Sequence, residues 1–558
     1  MISLPLLFLA FLFLTNMTLI KKILKQLFLR RGQRINTTLI LLVIAFITRE
    51  IFLAATFPIF VGQDEARHYN TIQYYAYHQP VVCRQDEQGN YLLPKQDKQD
   101  LNTYRFSVEI REAAQITQSR VWRQEKYQRP WSVAEMNNGF GEEEFKQKTW
   151  PKRQELCPPD IVSEALIWPH GNLYHQSLAL LERLWQDYDI FWRYYILRYV
   201  SVCLGALTLL GAYYFFRQSG LSKTIALLVT AIISFQPKFS VYYTNINYDA
   251  LFIFWWTALL ALSANVLRNG WRWWKLLLWL VIWWLAIATK ATAMTAVGLL
   301  FFFLVYQGKR YYQHQSKRKR VWLIIGGGLT TLFLTGFLLR ISHLDIFFRQ
   351  YGVDNLTVYF SKSLGKITGY SRNYWGALGW GGQNLSEEFV WLIWISEWLA
   401  WLGLGLGLLI SWRPSVVVIL DNKLKNIFTF KTKFGDRIKR INCEQRFNKE
   451  KIIPWKFMGL ASVAVVSLQA GIRLADWVVF QKIGRLALGM PGRYWLPNIT
   501  AHFLLLVYGW RVIWCFIGRF LRINQDRLEI FFWQGFLVLM ILYWVYEVFL
   551  LILPRFYF

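Results

Sequence analysis

The sequence predicts an all-α polytopic membrane protein of about eleven transmembrane helices with a large, mainly helical first extracytoplasmic loop, and three observations predict it. The 558-residue chain is 55% hydrophobic and 18% aromatic with 29 Trp, a composition that soluble domains do not reach. Its apolar residues fall in runs of about 18 or more, the length that crosses a bilayer core. The net charge of +29 is also unevenly placed. The segment Val61–Phe191 carries 19 of the 34 acidic residues against 15 basic ones, and the remainder holds 48 basic and 15 acidic. Positive charge confined to short loops between apolar runs is a topology signal rather than a nucleic-acid footprint, so no nucleic-acid partner is expected.

The basic excess lies at Lys21–Arg34, Arg217–Lys223, Arg268–Lys275, Lys309–Arg320, Arg413–Lys456 and Arg519–Arg527. Each stretch reads as a cytoplasmic loop. Spans are predicted between them near residues 38–60, 194–216, 223–242, 249–267, 274–289, 291–307, 321–340, 388–411, 457–475, 495–515 and 529–552, and every basic loop then falls on one side. Lys290 interrupts the pair at 274–307, which leaves open a single long helix with a re-entrant piece. Residues 3–20 are apolar as well and read as a signal-like segment, an extra span or an upstream extension, because Met17 could equally begin the chain. Of the five cysteines, only Cys83 and Cys157 lie in the large outer loop, where an oxidising compartment would allow them to pair.

The organisation follows from these spans. An N-terminal apolar segment and basic stretch (1–37) precede the first core helix (38–60) and the large outer loop (61–193). A transmembrane core (194–411) contains a second outer loop at 341–387 that is rich in Gly and aromatics. A basic cytoplasmic loop (412–456), suited to anionic headgroups of the membrane lipids, leads to the C-terminal helices (457–558). In the large loop, Leu173, Leu178, Leu180, Leu181, Leu184 and Trp185 predict a sided helix lying on the membrane surface.

Ionisable residues at the outer edge of the spans are the candidate site. Asp64 and Glu65 follow the first core span. A carboxylate at the lipid boundary beside a second acid can accept a proton from a hydroxyl or amine, and the pair could also bind a divalent metal ion. The alternative is an ordinary loop start. Arg49-Glu50 sits inside the same span, where charge needs a partner. Adjacent helical residues do not face each other, so separate partners are expected, with snorkelling as the alternative. Asn247 and Asp249 follow Gln236-Pro237-Lys238 at an outer turn and suit a polar ligand, or Asp249 simply favours the start of its helix. Lys290 requires an anion, either a phosphate or a carboxylate such as Glu50 or Asp249. Trp375 and Trp380 offer flat walls to an isoprenoid chain or sugar, or belong to an interfacial belt. Arg493, followed by Tyr494, presents a planar fork for phosphate or anchors the surface. The seven histidines fit no standard metal spacing, and His68 stands out only by its closeness to Asp64.

Taken in order, Arg49, Asp64-Glu65, the long outer loop, Asn247-x-Asp249, Thr289-Lys290, Trp375-Gly376-x-x-Gly379-Trp380 and Gly492-Arg493-Tyr494-x-x-Pro497 resemble a GT-C type membrane glycosyltransferase. That group includes the protein mannosyltransferases and aminoarabinose transferases, together with a related uncharacterised bacterial family that carries an Asp-Glu motif in its first outer loop. The resemblance spans most of the chain. It implies transfer of a sugar from a polyprenyl-phosphate-linked donor to a glycan, lipid or protein acceptor on the extracytoplasmic face of the bacterial plasma membrane. It further implies Asp64 as the base assisted by Glu65, and Lys290 and Arg493 as the phosphate holders. Trp168 to His175 departs from the His-Pro-Pro-Leu-Tyr stretch that relatives often carry before the second span. The intramembrane charges Arg49, Glu50 and Lys290 also fit a transporter or flippase of a lipid-linked substrate. A noncatalytic assembly or sensing protein built on the large loop is the third reading.

Overall fold

The computed structural model describes residues 37–60, 62, 64–77, 110, 113, 172–313, 356–364, 373–375, 377–378, 383–384, 387–412, 454–483, 492–521 and 523–553. The chain forms two compact units, residues 1–46 and 47–558, and the described part of the first is the opening of helix α1 (Thr37–Thr56). The large unit carries α2 (Glu65–Tyr77), α3 (Leu173–Leu184), α4 (Ile190–Gln218), α5 (Lys223–Ser234), α6 (Pro237–Thr244), α7 (Tyr248–Asn269), α8 (Trp273–Thr289) and α9 (Val297–Gln313). It continues with α10 (Leu356–Leu364), α11 (Glu387–Trp412), α12 (Trp455–Ile483), α13 (Ile499–Leu521) and α14 (Gln525–Tyr546). Short 3-10 turns cover Ala291–Ala296 and Gly492–Asn498, and a π-turn, Glu547–Ile552, follows α14. The strands among the described residues are the two-residue pair Ala377–Leu378 and Gln383–Asn384.

This is a helical membrane protein. Seven helices among the described residues are long and apolar enough to cross a bilayer, and the bent pair α5–α6 makes an eighth if it is one span. Of the remaining predicted spans, 274–289 and 291–307 correspond to shorter apolar helices, and 321–340 lies outside the described residues. Large apolar side chains such as Trp398, 69% exposed, and Leu402, 60% exposed, cover the outer surface of α11, as lipid contact requires.

Local sequence sets the helix ends that shape the site. Asn247 caps α7, its side-chain oxygen accepting from the Asp249 amide at 2.8 Å. Asp189 caps α4 through Phe191 and Trp192. At the α5–α6 junction the chain bends by 63°. Pro237 disfavours helical geometry at the residue before it, and the Gln236 side chain caps the new helix by accepting from the Phe239 amide at 2.5 Å. Helices α11 and α13 approach through Gly403 and Gly509: a methyl group on either would collide with a backbone carbonyl of the other helix.

Helix α3 turns a mixed polar and apolar face inward. Tyr174, His175, Leu178, Ala179 and Glu182 are buried, while Leu180 and Leu184 are exposed. The reason is its neighbours. Helix α2 presents His68 and Tyr69, and α4 presents Arg193, so the polar side chains of α3 find partners inside.

Candidate functional site

Four separate pieces of chain supply the site. Asp64 stands on the turn between α1 and α2, and Asp249 in the first turn of α7. Lys290 lies at the break after α8, and Arg493 and Tyr494 lie in the 3-10 turn that leads into α13. Asp64 has φ +58°, a left-handed backbone that Asp and Asn tolerate better than most residues. Lys290 is extended (φ −154°, ψ 124°), which ends α8 and starts the turn at Ala291. Trp283 braces this break by donating to the Ala293 carbonyl at 2.9 Å. The structure thus ends α8 before Lys290 and begins the 3-10 turn Ala291–Ala296 directly after it.

These pieces meet as two ion pairs around a tyrosine. Arg493 Nη1 lies 3.0 Å from Asp64 Oδ2, and Lys290 Nζ pairs with Asp249 Oδ1. The Tyr494 ring lies 4.7 Å from Lys290 Nζ and 5.0 Å from the Arg493 guanidinium carbon, so both cations flank one aromatic face-bearing residue. Tyr248 packs on Lys290 as well, at 4.9 Å, and Tyr242 lies within electrostatic range of Arg493. The Asp64 and Arg493 side chains keep 19% and 15% of their surface open, so a ligand can reach them.

Glu65 has a different environment. It is fully buried, and Arg198 binds both of its oxygens at 2.8 and 2.9 Å. The Ile246 and Gly62 amides donate to the same oxygens, each at 3.0 Å. Arg198 spends its remaining hydrogens on the carbonyls of Ala54, Phe57 and Pro58. A carboxylate so enclosed cannot touch a substrate or share a metal with Asp64, which corrects the expectation of two adjacent acids acting together. Among the described residues no group of three or more His, Cys, Asp and Glu side chains is placed to hold a metal ion.

The other predicted residues fall into three settings. Arg49 and Glu50 pair with each other, against the expectation of separate partners. The long guanidinium curls back over the turn, and Ser240 draws both together by accepting from Arg49 at 2.9 Å and donating to Glu50 at 2.8 Å. Asn247 is buried as a helix cap and by donating its amide to the Tyr174 hydroxyl at 3.0 Å. His68 is buried, its Nδ1 lying 3.0 Å from His175 Nε2, with the Tyr248 ring edge-on at 4.9 Å. Burial holds both imidazoles well below the usual histidine range. The positive charges of Arg493, Arg67 and Lys290 push His68 further the same way. Trp375 is buried and donates to Glu397 at 2.9 Å beside His502, so it walls no open site, and Trp380 lies outside the described residues.

Lys238, Tyr242, Tyr248 and His175 also belong to this neighbourhood. Lys238 is buried within electrostatic range of Arg493. A charged residue inside the predicted span 223–242 was its signal. The tyrosines carry no such mark in a chain with 29 of them.

The chain matches no family model, no curated protein and no solved structure.

Proposed function

We propose that the chain is a glycosyltransferase that moves a sugar from a polyprenyl-phosphate-linked donor to a cell-envelope glycan, lipid or protein, at the extracytoplasmic face of a bacterial plasma membrane. The observation that carries this reading is the convergence of Lys290 and Arg493 on Tyr494 with Asp64 at the guanidinium. Phosphate departure needs positive charge where the electron pair collects, and an acceptor hydroxyl needs a base. In the proposed step the acceptor oxygen bonds to the anomeric carbon and its proton passes to Asp64. The bond from that carbon to the phosphate oxygen breaks, and the electron pair leaves with the phosphate, held by Lys290 and Arg493. Glu65 acts through Arg198 by fixing the turn that carries Asp64, and no step runs through a metal.

The test is mass profiling of glycolipids and glycans in a strain lacking the chain, complemented with wild type or with Asp64→Asn. The expected result is one hexose- or pentose-bearing product lost in the deletion and restored only by wild type. Identical profiles overturn the reading. Movement of a labelled lipid-linked glycan across vesicles without turnover would establish the flippase in its place.

A further inference from the structure

Three residues of the second outer loop, Asn373, Tyr374 and Trp375, form a strap against the turn that carries Arg493. The two backbones touch: the Asn373 side-chain oxygen accepts from the Gly492 amide at 2.7 Å, and a methyl group on Gly492 would overlap the Tyr374 amide nitrogen. Only glycine fits there. The Tyr374 carbonyl accepts from Gln236 Nε2 at 2.6 Å, and Gln236 caps α6, the helix that brings Lys238 and Tyr242 into the neighbourhood. The strap therefore ties together two of the elements around the site, one of them at the residue directly before Arg493.

The strap's two aromatic side chains are buried and end on a polar pair carried by α11 and α13. Trp375 Nε1 donates to Glu397 Oε1 at 2.9 Å, His502 Nε2 lies 3.1 Å from the same oxygen, and the Tyr374 hydroxyl lies 3.3 Å from His502 Nδ1. These contacts close a ring. A histidine that gives its Nε2 hydrogen to Glu397 keeps Nδ1 to accept from Tyr374, so all four side chains are satisfied at once. Glu397 and His502 both stand inside spans, where an ionisable pair is costly, and here its bonds fix two neighbouring side chains of a loop.

Resting on the transferase reading above, we infer that Trp375 and Glu397 are positioning residues for the donor's phosphate: their ring holds the strap, and the strap sets the place of the Arg493 guanidinium. They act through Arg493 and touch no substrate. Other ties on the turn lie further along it: Trp256 holds its end by donating to Asn498 at 2.8 Å, and Gln469 reaches the Tyr494 carbonyl at 3.5 Å. The start of the turn, beside Arg493, is held by the strap. A planar fork that pairs with phosphate demands direction as well as distance, so a small shift of this start costs affinity where a point charge would lose less. Both bonds to Glu397 fall on one oxygen, so a neutral amide oxygen can stand in for it.

The test uses the full chain in lipid nanodiscs, with native mass spectrometry giving the affinity for C55 polyprenyl phosphate. Trp375→Phe keeps an aromatic ring and removes the bond to Glu397, and its affinity is expected to fall by roughly tenfold, the size of couplings within one hydrogen-bond network. Glu397→Gln is expected to bind as the wild type does, because its amide oxygen accepts both hydrogens. In an Arg493→Lys background, where a point charge replaces the fork, Trp375→Phe is expected to add no further loss. Equal losses in both backgrounds would mean that the strap does not act through Arg493, and would overturn the inference. A loss in Glu397→Gln as large as in Trp375→Phe would also overturn it, because charge rather than the bond to Trp375 would then be the active feature. Wild-type affinity in Trp375→Phe overturns it and leaves the transferase reading intact. Should Trp375→Phe fail to fold, Asn373→Ala, which removes the bond to Gly492, takes its place in the same cycle. Failure of both to fold overturns the inference, since the strap would then serve stability alone. A wild-type chain that binds no probe sinks the transferase reading, and the inference with it.

Discussion

Around Glu65 both carboxylate oxygens and all three guanidinium nitrogens of Arg198 are matched by partners in a site closed to solvent; around Asp64, one residue earlier, the pair with Arg493 is partly open and leaves one guanidinium nitrogen unmatched among the described residues. A carboxylate and a guanidinium make a closed structural knot in one place and a partly open pair in the other. Burial and saturation of hydrogen bonds, rather than charge, distinguish them. The knot ties α4 to the end of α1 and to the amide of Ile246, and so holds the turn on which Asp64 rides.

The sharpest way to break this comparison is to cut the knot. Glu65→Gln or Arg198→Gln leaves a buried charge without its counterion, and the expected cost is about 3–5 kcal/mol. It is read as loss of folded protein from the membrane fraction, and normal abundance would mean that the knot is dispensable.

Acid comes next. His68 and His175 are depressed in the fold, so the unfolded chain takes up protons first as pH falls below about 6.5. Stability is therefore full above that pH and lost below it until the folded values are reached, with a slope of up to about 2.7 kcal/mol per pH unit for two protons. Thermal unfolding in detergent between neutral pH and pH 5 should show the fall. His68→Gln, which removes one of the two, should flatten it, and an unchanged slope in that variant would clear the pair.

Lys290→Met, expected to cost about 1.5–3 kcal/mol by stranding Asp249, should lower the melting temperature modestly and abolish binding of C55 polyprenyl phosphate. Retained binding would remove Lys290 from the phosphate site. The smallest stability effect belongs to Asp64→Asn. The pair it breaks is partly open, worth about 0–1 kcal/mol, and Asn tolerates the left-handed backbone. Its expected loss is in transfer, by about 100-fold or more.

Much of this contrast was legible in the chain and some was not. Apolar runs bounded by charge located the seven helices long enough to cross a bilayer, and an ionisable residue at a predicted membrane boundary marked Asp64, Asp249, Lys290 and Arg493, which the structure brings into one cluster. The carboxylate partner of Lys290 was among the alternatives that the sequence allowed. The separation of Asp64 from Glu65 was hidden, because adjacent residues look alike until the fold assigns their surroundings. Arg198 lies inside the predicted span 194–216, where an arginine demands a counterion, and that signal pointed to a buried acid without naming it. The Arg49–Glu50 pair was missed because the neighbour rule concerns Cβ directions, and an arginine is long enough to escape it. Glu397 and His502, 3.1 Å apart, likewise sit in predicted spans as ionisable residues with unnamed partners.

The most direct test sets Asp64→Asn beside Glu65→Gln in one strain, scoring membrane abundance and the glycan product together. Normal abundance with no product is expected for Asp64→Asn, and lost abundance for Glu65→Gln. Full product from Asp64→Asn, or abundant Glu65→Gln protein that is inactive, would contradict it.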